Sequence, residues 1–184
     1  MFPETSTAAR DVCQKEERAC GCVFCRTGAE EQVAREIERT HPEVEAIVPV
    51  KFYFRRILGQ LKEERRTLFP GYVIFRADSD FYAYDLTRIV DVYKLLLDSC
   101  GTWMLRGADR ILLEKLFAYG GEVPFSKAFY EGDRIRIADG FLKEYEGDIL
   151  RVNKRKRTVQ VRLRLDLRDV LVWMGYELIE RSAF

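Results

Sequence analysis

The sequence is poor in the groups from which most active sites are built. It has a single histidine, His41, set in Thr40-His41-Pro42 with no neighbour to share acid–base work, so a loop or capping role is expected. It has no Walker loop, no Gly-x-Ser-x-Gly elbow and no cluster of metal ligands. An enzyme, a cofactor and a metal site are therefore not expected. No apolar run is long enough to cross a bilayer, and the first twenty residues are polar and lack the apolar stretch of a secretory signal, so we expect a cytoplasmic protein without membrane contact. Charge imbalance is missing too. With a net charge of +1 and 33% charged residues, any nucleic-acid contact must rest on a local patch.

Four of the five cysteines, Cys13, Cys20, Cys22 and Cys25, are concentrated near the start. A disulfide, a zinc site on Cys22-Val-Phe-Cys25 and plain thiols all fit the spacing. We expect thiols. The later candidates for further zinc ligands are only His41 and Cys100, and Cys20 to Cys25 reads as a strand entering a turn. Period-two alternation then sends Cys22 and Cys25 to opposite faces.

Residues 1–19 are polar, without periodicity, and are expected to form a flexible leader. Ala29, Val33, Ala34 and Ile37 recur at helical spacing behind acidic Glu30 and Glu31, and His41-Pro42 ends that helix. Glu45 to Tyr53 reads as a strand, Phe54 to Arg66 as a basic hairpin around Leu58-Gly59-Gln60, and Thr67 to Phe75 as the strongest strand of this half. Asp80 to Ile89 reads as helix, Val90 to Leu97 as strand, and Ala108 to Tyr119 as an amphipathic helix with Ile111, Leu112, Leu113, Leu116 and Phe117 inward. Gly120-Gly121-Glu-Val-Pro124 breaks the pattern and is expected to act as a linker. Beyond it come strands at 134–138, 147–152, 158–165, 169–173 and 176–179, which suggest a small barrel.

Two stretches carry a family resemblance. Phe69-Pro70-Gly71-Tyr72-Val73, preceded by a basic stretch and by Val48-Pro49, resembles a strand of the NusG family of transcription factors. Glu131-Gly-Asp-Arg-Ile-Arg-Ile137, followed by Gly140, Phe141 and Glu146-Gly147, resembles the family's KOW motif. The resemblance implies an α+β protein. Residues 20–119 would form an NGN-type domain, an approximately four-stranded, mainly antiparallel sheet with flanking helices. Residues 120–130 would be a linker, and 131–184 a KOW domain, a five-stranded SH3-like barrel. In the family the first motif lines a hydrophobic depression that grips the coiled coil of the RNA polymerase clamp. Carried over, Phe69, Pro70, Gly71 and Tyr72 would form that pocket, with Arg55, Arg56, Arg65 and Arg66 available for acidic polymerase surface or for upstream DNA.

Independently of the resemblance, Pro70 belongs at a strand's start or edge, and Gly71 leaves the backbone open to close approach. Gly147 is expected to supply a positive φ or a close strand contact. Arg151, Lys154, Arg155, Lys156, Arg157, Arg162, Arg164 and Arg168 oppose only Asp166 within eighteen residues. Asn153 to Arg157 reads as a hairpin tip, and Arg162 and Arg164 share a strand face, so these cations, with Lys143, form a candidate RNA-binding footprint. Where housekeeping NusG carries Ile-Phe-Gly-Arg, this chain has Leu165-Asp166-Leu167-Arg168. A carboxylate in place of an exposed aromatic argues against ribosomal protein S10 and Rho as partners. The resemblance thus points to a monomeric specialised paralogue, most like the LoaP group, which would bind polymerase and a hairpin in the nascent leader RNA and promote antitermination. A housekeeping NusG coupled to Rho or the ribosome, and a KOW protein of RNA or ribosome assembly, are the alternatives.

Overall fold

The computed structural model describes residues 18–165 and 169–180. Residues 1–17, including Cys13, and 166–168, including Arg168, lie outside the described residues, as do the side chains of Arg56 and Leu61.

The chain opens with strand β1 (Ala19–Cys25), helix α1 (Glu30–Thr40), β2 (Glu45–Ile47), β3 (Val50–Ile57), β4 (Gln60–Thr67) and β5 (Tyr72–Ala77). A 3-10 turn (Ala83–Arg88), β6 (Val92–Leu95) and α2 (Gly107–Ala118) complete the first half. Four strands form an antiparallel sheet in the order β2-β5-β1-β6. Its two faces are separated by the strand alternation expected for β1. Val23 and Cys25 pack with Val33 and Ile37 of α1, whereas Cys20 and Cys22 pack with Leu112, Leu113 and Leu116 of α2. Cys22 and Cys25 thus belong to different cores. Burial raises both thiols above the usual range, with Cys25 pushed up to about 11, so both are protonated and poorly nucleophilic at neutral pH.

Each element follows from local chemistry, and several differ from the sequence reading. The segment 45–53 divides at Val48-Pro49, so that β2 joins the main sheet while β3 leaves it to pair with β4. The β3–β4 hairpin turns on Leu58 and Gly59, both at positive φ (50° and 83°), the combination that matches strand twist in a two-residue turn. The segment 80–89 closes as a 3-10 turn and not as an α-helix. In α2 the buried stripe is Leu112, Leu113, Leu116 and Phe117, and Ile111, expected inward, is 64% exposed. It sits one helical step, about 100°, before Leu112 and so falls off the stripe.

The second half consists of β7 (Glu122–Val123), β8 (Ser126–Glu131), β9 (Arg134–Asp139), a 3-10 turn (Phe141–Asp148), β10 (Ile149–Asn153), β11 (Thr158–Arg164) and β12 (Asp169–Leu178). A five-stranded sheet in the order β10-β11-β12-β8-β9 encloses Ile137, Phe141, Leu142, Val159, Val161, Leu163 and Met174, all nearly inaccessible. The stretch expected as a linker is itself paired: β7 lies parallel to β3, and β8 parallel to β12. Gly132-Asp133 is the turn joining β8 to β9 and does not begin a strand. The expected strands at 169–173 and 176–179 are one continuous β12. Gly147 has neither a positive φ nor a close neighbour. The demanding glycine is Gly140, at φ +95°, where a Cβ would lie 2.9 Å from Ser126 Cα. Ser126 Oγ in turn accepts the Leu142 N–H at 3.0 Å and starts the 3-10 turn.

The two halves share one apolar cluster that runs from Cys20 and Cys22 through α2 to the interior of the second half. Phe54 stacks on Phe125 with ring centroids 4.3 Å apart, and Arg157 lies over Phe54. Lys115 of α2 donates to the Phe141 carbonyl at 3.3 Å and pairs with Glu144 at 2.8 Å. Gly175 allows β12 to reach β3, for a Cβ there would stand 2.6 Å from the Phe52 carbonyl oxygen.

Candidate functional site

The Phe69-Pro70-Gly71 stretch is a turn between β4 and β5, not the strand expected. Pro70 has no N–H for a ladder, and Gly71 takes φ +82°, a conformation that favours glycine. Gly71 is buried and does not open outward. Its N–H donates to Glu30 Oε1 at 2.7 Å, its carbonyl accepts from the Cys25 N–H at 2.8 Å, and a Cβ would lie 2.9 Å from the Phe24 ring. The close approach inferred from this glycine is real, but the approaching groups are the chain's own. Glu30, only 5% exposed, also accepts the Gly28 N–H at 2.7 Å, so the first residue of α1 holds the turn in place. Its place in the first turn of α1 predicts only a helix-dipole role for Glu30; the bond to Gly71, forty-one positions later, is a second task that local sequence does not signal.

Phe69 and Tyr72 are half-buried and Pro70 is exposed. All three line a cleft of about 1920 Å³, whose floor includes Leu68, Ile74 and Leu112. The hairpin contributes Arg55 and Arg66, which share Glu64 at 3.5 Å each, and Arg66 covers the Tyr53 ring at 4.6 Å. Arg65 lies elsewhere. Alternation along β4 turns it to the other face, where it meets Glu31 at 3.5 Å and Glu122 at 3.4 Å. Lys51, which composition did not single out, lines the cleft opposite Arg66 in the ladder. Burial, aided by the Arg66 charge, holds its ammonium down to about 8.

The basic hairpin of the second half has the expected tip. Asn153 Oδ1 accepts the Lys156 N–H at 2.9 Å, an Asx turn, and Arg157 takes φ +50°. Its charge is less free than its composition suggests. Lys154 pairs with Asp133 at 3.3 Å and sits over Tyr130, Arg162 pairs with Asp169 at 3.6 Å, and Arg164 chelates Asp148 Oδ1 at 2.6 and 3.0 Å. Lys143 belongs to the 3-10 turn, where it donates to the Ile137 carbonyl at 2.7 Å. Arg151, Arg155 and Lys156 are exposed and have no carboxylate partner among the described residues. Arg155 and Lys156 face the same cleft as Phe69 and Tyr72, so the structure brings together two elements that the sequence presented as separate.

Fold and cleft together define a two-part α+β protein with an apolar cleft rimmed by lysines and arginines. No family model matches the sequence. Two curated relatives do: the chain is 26% identical over 142 residues to the transcription termination/antitermination protein NusG of Pseudomonas aeruginosa, which spans 74% of this chain and 79% of that protein. It is 23% identical over 142 residues to the protein of the same name from Pasteurella multocida, with 75% and 77% covered. Among solved structures, the chain is similar in fold to Thermotoga maritima NusG, described for its domain interaction, with a TM-score of 0.55, 20% identity, and 86% of this chain and 94% of that one covered. The chain is therefore NusG-like in sequence and in fold, with an N-terminal sheet-and-helix domain and a strand-rich C-terminal domain.

Proposed function

We propose that the protein is a NusG-like transcription elongation factor that promotes antitermination, docking on RNA polymerase through the cleft beside Phe69 and Tyr72 and on folded nascent RNA through the hairpin tip 153–157. The single observation that carries the reading is the accessible apolar hollow at Phe69, Pro70 and Tyr72, held open by the Glu30–Gly71 clasp. A projecting helix tip of the polymerase clamp is the partner such a hollow suits. Binding there raises processivity only to the extent that the factor prefers the closed, elongating form of polymerase over the paused one. Arg155 and Lys156 at the tip, with Arg151 on the adjoining strand β10, supply the unpaired charge for RNA phosphates. An A-form stem hides its bases in a narrow major groove, so the tip reads phosphates and an irregular loop.

The test is transcription in vitro across a terminator placed behind candidate leaders. Read-through should rise with the wild-type protein. Phe69→Ala should abolish both read-through and co-purification with polymerase while RNA binding persists. Polymerase association that survives Phe69→Ala would remove the docking assignment. The relatives' names keep a housekeeping termination role as the second reading, and protein-dependent read-through separates the two, since a Rho-coupled factor would lower it. The segment Leu165-Asp166-Leu167-Arg168, on which the sequence argument against S10 and Rho rests, has its last three residues outside the described ones.

A further inference from the structure

The walls of the cleft carry seven lysines and arginines against two aspartates, Asp98 and Asp109. Glu64 stands behind Arg55 and Arg66 as a third carboxylate. Asp98 is already occupied, accepting the Cys100 and Thr102 N–H groups of its own turn. Lys51 on one wall and Arg155 and Lys156 on the other have no carboxylate partner among the described residues. The same cleft is lined by Leu171 and Trp173 of β12, 51% and 40% exposed. Together they give the cationic cleft an apolar edge that includes a broad ring face, on which a planar group can stack.

We infer that the cleft holds a single strand of nucleic acid, with phosphates along Lys51, Arg155 and Lys156 and a base stacked on Trp173. The inference rests on the RNA-binding reading of the hairpin tip and extends it inward, giving the unpaired sequence beside a recognised hairpin its own site. Seven cations against two aspartates suit a polyanion. The exposed ring favours a strand whose bases are open, because a duplex keeps its π-faces stacked inside and would leave the apolar floor unused. Lys51 supports this: burial and Arg66 make its charge unfavourable in the empty cleft, and a phosphate beside it would restore that charge. The strand and a polymerase helix tip both need Phe69 and Tyr72 accessible, so they occupy the cleft in turn.

The protein has two tryptophans, and Trp103 is 8% exposed and stacked on Phe75. In the Trp103→Phe background, oligouridine of about twelve nucleotides should quench the emission of Trp173, and a blunt RNA duplex of equal length should not. If Trp103→Phe fails to fold, the same comparison runs between wild type and Trp173→Leu, in which the quench must vanish. By fluorescence anisotropy Trp173→Leu should bind oligouridine about tenfold more weakly. Equal quenching by duplex, no quenching by oligouridine, or quenching by an acidic amphipathic peptide in its place overturns the inference. An RNA hairpin whose binding depends on Arg155 and Lys156 but leaves Trp173 emission unchanged removes the cleft site and keeps the tip assignment. Absence of any RNA binding removes both.

Discussion

Replacing Glu30 by alanine should deform the hollow from behind, without touching a residue that lines it. The carboxylate accepts two backbone N–H groups at 2.7 Å, from Gly28 and from the buried Gly71. Hydrogen bonds to a charged acceptor contribute about 1.5–3 kcal/mol each, and a buried N–H left without a partner costs about 1–3 kcal/mol. Gly28 is exposed and recovers its bond from water, whereas Gly71 is enclosed by the Phe24 ring and the Cys25 carbonyl. The expected loss is therefore about 3 kcal/mol, most of it at Gly71, which lowers Tm by roughly 6–12 °C for a chain of this size. Glu30→Gln retains one acceptor oxygen for two donors and should lose about half as much. Chemical denaturation gives the totals, and amide exchange by NMR locates them. The Gly71 N–H should lose its protection in Glu30→Ala while core amides such as that of Val73 follow global stability alone. Polymerase association should weaken in step with Gly71 exchange. If Gly71 stays protected, or the loss is under about 0.5 kcal/mol, an ordinary surface value, the clasp does not hold the turn.

With Arg151, Arg155 and Lys156 as the exposed hairpin cations that have no carboxylate partner among the described residues, log K for RNA should fall with log salt at a slope of about −2 to −3. Arg155→Glu combined with Lys156→Glu should cut that slope to about −1 in mobility-shift titrations, and an unchanged slope would move the footprint elsewhere. Lys51→Met should raise Tm at pH 7, where the folded protein holds a half-buried ammonium at a cost. Because the folded value of Lys51 is depressed to about 8, the unfolded chain binds more protons above that pH, and wild-type stability should climb as pH rises through 8 toward the ordinary lysine range. The advantage of the variant should shrink over the same window in thermal scans. Gly175→Val puts a side chain against the Phe52 carbonyl and the Phe125 ring, an overpacking cost of about 1–3 kcal/mol. Dye pairs on β3 and β11 should then report a wider separation of the halves, and an unaltered transfer efficiency would mean that this contact does not hold them together.

Much of the architecture could be read from the sequence because it depends on short-range chemistry. The α1 stripe, the Leu58-Gly59 turn and the division of Cys22 from Cys25 each follow from periodicity or from one residue's φ preference. The misreadings share a cause of the opposite kind. Gly71 looked open because the residues that close over it, Phe24 and Cys25, come from a strand more than forty positions earlier. Ile111 looked inward because an apolar residue beside an apolar stripe scores as part of it, and only the packed partner decides its edge.

The basic run shows the same limit in electrostatic form, and there it changes the functional argument. Counted along the chain, eight cations oppose one carboxylate between 151 and 168, yet Asp133, Asp148 and Asp169 fold back onto Lys154, Arg164 and Arg162. These pairs are exposed, and each contributes only about 0–1 kcal/mol to stability. On the proposed RNA-binding reading their effect on binding exceeds their effect on folding, because a phosphate would have to displace or share a carboxylate already in place. The cations that remain unpaired are concentrated at the tip, where Arg155 and Lys156 turn toward Lys51 and Trp173. On the proposed reading, recognition is focused on the boundary between the halves, and Lys51 and Trp173, which line the cleft there, are the residues whose replacement should separate binding from stability.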